Sequence, residues 1–428
     1  MAVNADVDLA GWVGDNARRM ESLDLNAPLD DLQPLIEIVG DARVVALGES
    51  SHHVREFYQV RHRLLRFLVE RCGFTVYALE APFTEGQVLD DWVRGVPGEV
   101  DKVASDGIAM TLGDVPELHD ALAWIRSYNQ SVANPTVQCV GVDLPGSIGS
   151  PLPALEQIVG YVRANDPDAS PVLARAIGLV EQFHQPESLM ALANYPTMAE
   201  PDRNALTAAL SELVARLQRL ASHQQSQSRT SDHETAAHHL RGAWLLDQLH
   251  RSLLVDGIEI ASTFRDLYLA ESVLRLLNQD PNAKIVLAAH NWHIKKAAEA
   301  HEGGGPDLVP AGFHLATALG QDYRAIGLTS LGGRTAITNS DALDGAGGFL
   351  FQEAPLPSPE DSSIEAALPD DSTWSLIDLR RAPSMLADSE RFPRMRMADY
   401  FLDQPTFSCF DALISVTETS GTQHTRPT

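Results

Sequence analysis

Residues 48–56 read GESSHHVRE, directly after the apolar run of residues 44–47. Glu49, Ser50, Ser51, His52, His53, Arg55 and Glu56 fall within eight positions. An imidazole three residues from a carboxylate suits general-base work near neutral pH. Taken alone, Glu49 equally suits a helix N-terminus and His52 a hydrogen-bonded turn. Three more polar groups end apolar runs: Glu80 closes TVYALE (75–80), Asp143 closes TVQCVGVD (136–143), and His290, Asn291 and His293 follow KIVLA (284–288). In a parallel α/β sheet, ligands bind in the crevice beyond the carboxyl ends of the strands. If these runs are neighbouring strands, all four polar ends meet on one edge.

Arg61 lies four residues after Phe57 and seven before Leu68. It therefore shares the apolar face of its helix and needs a buried anion or a substrate contact, with Glu80 and Glu49 as candidates. HNWH (290–293) has a spacing that can ligate a metal, but two histidines lack a clear third ligand. In DHETAAHH (232–239), His233 and His238 are five residues apart. They are thus rotated by about 140° around a helix, which reads as a solvated or cap-lining face and not as a zinc site. GESSH lacks the second glycine of a G-x-S-x-G elbow, and phosphate-cradling glycine motifs are absent. No metal and no cofactor are expected.

The elements that must carry these residues alternate. Helices are expected over 7–25, 34–39, 54–71 and 116–130, with one carrying Trp92, and strands over 43–48, 75–80 and 136–143. From about 151 to 280 helix follows helix (152–164, 170–185, 203–222, 233–254, 264–278), with a polar loop at 224–234. Strands return at 284–290, 323–331, 372–380 and 409–417, after a Pro/Ser-rich linker at 353–363. The expected fold class is α/β: a mixed, largely parallel sheet flanked by helices, with a large all-helical insertion acting as a cap. The boundaries are 1–150 and 281–420 for the two parts of the core, 151–280 for the cap and 421–428 for a frayed tail.

A formal net charge of −26 over 428 residues disfavours a nucleic-acid backbone or an anionic membrane as partner. Three widely spaced cysteines, Cys72, Cys139 and Cys409, do not form a disulfide framework. Neither a signal peptide nor a spanning helix is read, so a cytoplasmic protein acting on a small molecule is the expectation.

ALGESSHHVREFYQVRHRLLRFLVERCGFTVYALEAPFTEGQ (46–87) closely resembles the erythromycin esterase family, nearest its type B members. The likeness continues through VGVDLPG (140–146), RDLYLAESVLRLL (265–277), LAAHNWHIKK (287–296) and IGLTSLGGRTA (326–336). The resemblance implies hydrolysis of the macrolactone ester of erythromycin-type antibiotics. It implies His52 as the group that activates water and Glu49 as its accompanying carboxylate. Arg61 and Glu80 are implied as further active-site residues, and His290 and His293 as a facing histidine pair. Trp292 is bulkier than the small residue expected between those histidines, and Arg334 stands where type B members carry a histidine. Arg55, Asp143, Trp292 and Arg334 are the candidates for substrate contact. Two other functions share these features. One is a biosynthetic tailoring enzyme performing transacylation, cyclisation or elimination on a polyketide-like substrate; the other is a metal or haem binder, suggested by 15 histidines.

Overall fold

The computed structural model describes residues 9–109, 111–132, 136–226, 230–301, 306–343, 349–384, 386 and 394–423. Its strands run in chain order as β1 (Arg18–Met20), β2 (Val44–Leu47), β3 (Val76–Pro82), β4 (Gln138–Asp143), β5 (Ile285–Ala288), β6 (Tyr323–Leu343), β7 (Phe349–Pro355), β8 (Trp374–Asp378), β9 (Arg394–Met397), β10 (Tyr400–Asp403) and β11 (Ala412–Thr419). The main sheet has the order β1-β8-β11-β6-β2-β5-β3-β4, with β7 paired to β6 outside it. From β11 through β4 every pairing is parallel, while β8 runs antiparallel to both β11 and β1. The fold is mixed α/β with a largely parallel sheet, as the strand–helix alternation requires.

The central strands β2 and β5 are buried at every position, as expected of strands covered on both faces. One covering helix, Arg55–Cys72, buries Phe57, Val60, Leu64, Phe67 and Leu68 and stops at Gly73, whose φ of 74° is the left-handed conformation of a helix C-terminus. The opposite face is covered by a second apolar cluster containing Leu269, Val273, Ile294 and Leu315. Between Leu152 and Gln279 the described residues are helical or connecting, and Leu155, Leu173, Leu206, Leu210, Leu213 and Leu240 form a core of their own. A small cluster around Leu144, Leu246 and Tyr268, with Phe83 packed on it, joins these helices to the sheet.

Several elements differ from the reading of the sequence. The helix expected over 7–25 is only Leu9–Asn16, because residues 18–20 pair as β1 with β8. The helix Val100–Gly107 was not anticipated. The polar stretch 224–234 is not a loop throughout, since helices run to Ser226 and restart at Thr230. Strand β6 continues far past residue 331 and pairs with β7, which occupies the first part of the supposed linker at 353–363. The Gly332–Gly333 pair after Leu331 and the prolines from Pro355 onward hid this hairpin, because both read as breaks in a strand. Among residues 421–428, Gly421 bridges to Val54 and Thr422 bonds to His53, while 424–428 lie outside the described residues.

Candidate active site

Adjacent parallel strands β2, β5 and β3 deliver Glu49, His290 and Glu80 to one edge. Close approach of the first two loops depends on Gly48, because a Cβ there would fall 1.9 Å from Asn291 Oδ1. Asn291 locks its own loop to β6 by donating to Leu328 O (2.7 Å) and accepting from Leu328 N (3.1 Å). Its backbone N–H donates to Glu49 O at 2.8 Å, so the two loops share a hydrogen bond.

The Glu49 carboxylate is buried and divided between two partners. Oε1 lies 2.7 Å from His52 Nδ1, and Oε2 lies 3.0 Å from Arg61 Nη1. Arg61 also donates to Gly48 O (3.0 Å) and Ala289 O (2.9 Å), which satisfies the buried guanidinium. Of the two anions expected for Arg61, the structure therefore selects Glu49. Burial would raise the Glu49 carboxyl, but Arg61 and His52 outweigh it and hold the group below its ordinary value. For His52 burial opposes charging, yet the bond and charge of Glu49, with Glu80 behind them, raise it above the usual histidine value. With Nδ1–H donating to Glu49, the His52 Nε2 lone pair is left to accept a proton.

His290 is the opposite tautomer. Its Nδ1 accepts from Trp292 N at 3.2 Å, which puts the ring proton on Nε2. Burial, with the positive charge of His52 added to it, pushes His290 down to about 3, so the ring is neutral near pH 7. The His52 and His290 ring centroids are 5.3 Å apart. A proton-accepting ring and a proton-donating ring are thus neighbours.

Glu80 and His293 form a second charged layer. Glu80 Oε2 accepts from His290 N at 2.8 Å and its Oε1 pairs with Arg265 Nη2 at 2.8 Å, while His52 Nε2 stands 4.0 Å from Oε1. His293 lies between carboxylates, with Nδ1 2.8 Å from Asp266 Oδ1 and Nε2 3.4 Å from Glu80 Oε1. Burial would lower His293, but Asp266 and then Glu80 push it up to about 10. Both ring nitrogens consequently carry protons, and the 3.3 Å approach of Arg265 Nη1 to Nε2 is a contact between cations, not a hydrogen bond. Burial opposes ionisation of Glu80 as well, but His293 and Arg265 hold it well below the ordinary value. Four carboxylates (Glu49, Glu80, Asp143, Asp266) face three fixed cations (Arg61, Arg265, His293). Protonating His52 completes the balance, which makes it a stronger base.

The sequence-level candidates are thus distributed unequally. Glu49, His52, Arg61, Glu80, His290 and His293 converge. Asp143 reaches the group through Arg265, whose Nε and Nη2 clasp both its oxygens at 2.6–3.0 Å. Trp292 lies under the Lys295 ammonium, 3.5 Å from its ring centroid. Arg55 and Arg334 are occupied elsewhere: Arg55 faces Glu117 at 3.6 Å with its side chain 55% exposed, and Arg334 pairs with Glu353 at 2.7 Å. His238 is buried against Ser272 Oγ (2.8 Å) and stacked on Tyr268, so its helix face is packed and not solvated.

Arg265 and Asp266 were missed in the sequence. Arg265 is four residues from Ala261 and from Leu269, both buried, and the reasoning that singles out Arg61 applies to it unchanged. Beneath His52 lies a cavity of about 30 Å³, lined by Glu49, Arg61, Glu80, Tyr58, Leu79 and Ala289 among others. That volume accommodates about two waters beside these polar groups. His52 on the wall of this cavity can activate water, and the neighbouring His290 ring can donate to developing negative charge.

Comparison with known proteins gives a consistent answer. The erythromycin esterase family profile matches residues 69–419. Erythromycin esterase type II of Escherichia coli is 31% identical over 399 residues, covering 91% of this chain and 93% of that protein. Erythromycin esterase type I of Escherichia coli is 25% identical over 405 residues, covering 93% and 95%. In fold, the chain matches an open-conformation histidine-to-asparagine mutant of the erythromycin esterase EreC with a TM-score of 0.81, at 24% identity and 95% and 98% coverage. A succinoglycan biosynthesis protein matches with a TM-score of 0.77 at 18% identity, covering 100% of both chains.

Proposed function

This chain belongs to the erythromycin esterase family and is a carboxylic ester hydrolase, and from that premise we propose that it opens a macrolide lactone by direct attack of water. His52 Nε2 takes a proton from a water as its oxygen bonds to the lactone carbonyl carbon. The negative charge that develops on the carbonyl oxygen is received by His290 Nε2–H. On collapse of the tetrahedral intermediate the C–O ester bond breaks, and the His52 imidazolium returns its proton to the leaving alkoxide. Glu49 orients His52 and stabilises its charged form. Glu80, Arg265 and His293 form the fixed field behind the reacting groups.

The observation that carries this reading is the pairing of opposed tautomers: His52 bound through Nδ1 to Glu49, and His290 capped at Nδ1 by Trp292 N, with ring centroids 5.3 Å apart. The family assignment does not favour the biosynthetic or metal-binding alternatives. Incubation with erythromycin followed by mass spectrometry should show the drug gaining one water. His52→Ala should lose at least about 10²-fold in turnover while remaining folded, the lower end for a general base. An unchanged drug mass, or a folded His52→Ala enzyme with wild-type turnover, contradicts the proposal.

A further inference from the structure

The His52 loop is fixed from outside the sheet by the segment that follows β11. His53, immediately after the base, has a φ of 58°, a left-handed conformation uncommon for a non-glycine residue and held here by its surroundings. Those surroundings are visible. Thr422 N donates to His53 O at 2.9 Å, Arg55 N donates to Ser420 O at 3.0 Å, and Val54 and Gly421 form an antiparallel bridge. Glu56, in the first turn of the Arg55–Cys72 helix, accepts from Ser420 N on one oxygen and from Ser420 Oγ on the other, both at 2.7 Å. Glu117 accepts from Thr422 Oγ1 at 2.5 Å, and Glu353 on β7 accepts from Gly421 N at 2.9 Å. The His53 ring packs on Phe351 of β7 with centroids 3.8 Å apart.

We propose that residues 420–422 are a positioning strap for the catalytic loop, anchored by the paired hydrogen bonds of Glu56 to Ser420 and fastened to His53 by Thr422. The strap fixes the backbone on the C-terminal side of His52, while Glu49 fixes its ring. Arg55 and Arg334 then have a place outside substrate contact: Arg55 pairs with Glu117, and Arg334 pairs with the Glu353 that holds Gly421. Glu56 and Thr422 are positioning residues acting through His53 on His52, so the inference rests on His52 being the base.

Glu56→Ala removes both anchoring bonds and should lower kcat about 10- to 100-fold, the range a misplacement of about 1 Å produces. KM should stay within about twofold, because no substrate contact is lost. Glu56→Gln can keep both bonds, its Oε1 accepting from Ser420 N and its amide donating to Ser420 Oγ, and should restore most of kcat. Thr422→Pro deletes the N–H that bonds His53 and should lower kcat independently. Hydrogen exchange at residues 49–54 should accelerate in Glu56→Ala and Thr422→Pro but not in Glu56→Gln. A folded Glu56→Ala enzyme with wild-type kcat, a loss confined to KM, or a Glu56→Gln enzyme as poor as Glu56→Ala overturns the strap. If the wild-type chain opens no lactone, the exchange measurement still decides: acceleration keeps the strap while the esterase reading falls, and unchanged exchange rejects it.

Discussion

Both oxygens of Glu49 are committed, one to His52 and one to Arg61. This division predicts a pH effect with a definite sign. Because the Glu49 bond and charge raise His52, Glu49→Gln should move the acidic limb of kcat/KM to lower pH. The plateau should fall by about 10-fold, part of the 10²–10⁴ that a positioned base supplies. A pH profile from 4 to 9 checks both; a limb that stays in place would mean another group sets His52. The wild-type limb should lie above 6.5, the ordinary histidine value. His290 contributes no limb there, since it gains a proton only near 3. At this scale Arg61 was legible because a charge interrupts an apolar stripe. Arg265 carries the same signature, but its partners Glu80 and Asp143 are 185 and 122 residues away and no local pattern names them.

At the scale of elements, the polar residues that end the apolar runs are the ones that converge on one sheet edge. A strand end is where a buried chain first reaches solvent, so type and position coincide there. What stayed hidden was register between loops. Gly48 is one of two glycines within ten residues, and nothing in the sequence distinguishes it from Gly40, where an added Cβ meets nothing. At Gly48 the added methyl must displace the Asn291 amide, which is tied twice to Leu328. Gly48→Ala should therefore cost about 1–3 kcal/mol as an overpacked core substitution. It should also lower kcat, because the loops carrying His52 and His290 are pushed apart. Gly40→Ala is the contrast: it costs stability through its φ of 53° but leaves kcat unchanged. Denaturant midpoints and steady-state kinetics on the two variants separate backbone strain from loop register. The β6–β7 hairpin was illegible for a different reason, since Gly332 and Gly333 read as the end of a strand and the proline-rich run from Pro355 as a linker.

For the whole molecule, the buried histidines determine how stability depends on pH. His290 at about 3, and His62, His239 and His250 at about 4, are held neutral by burial. Their contribution is complete above the unfolded value of 6.5 and disappears as pH falls toward 4, because the unfolded chain takes up protons first. Glu49 and Glu80, both lowered, add to this loss below 4.5. His293, at about 10, has the opposite sign: its contribution is complete below 6.5 and disappears as pH rises through 10. Glu85 at about 7 and Asp247 at about 6 share the sign of His293, losing theirs as pH rises from the ordinary carboxyl range. With His233, His238 and Glu353 also lowered and Asp120 and Glu365 also raised, six histidines and three glutamates outweigh four acids on the acid side. Tm should therefore peak near pH 6.5 and drop more steeply toward pH 4 than toward pH 9. A Tm that is flat between pH 6.5 and 4.5 would contradict the burial assigned to these rings.

The strand order has a further consequence, for biosynthesis. β2 lies between β5 and β6, and β3 meets β2 only through β5, so the first half of the chain cannot close its own sheet. While the helices from Leu152 to Gln279 are being translated, β2 waits without either neighbour, for on the order of ten seconds or more at usual elongation rates. A nascent chain in that state presents unpaired backbone edges and uncovered apolar faces to chaperones and to other ribosomes' products. Residues 1–150 expressed alone should accumulate as inclusion bodies, and slowing translation within the helical stretch should lower the yield of full-length enzyme.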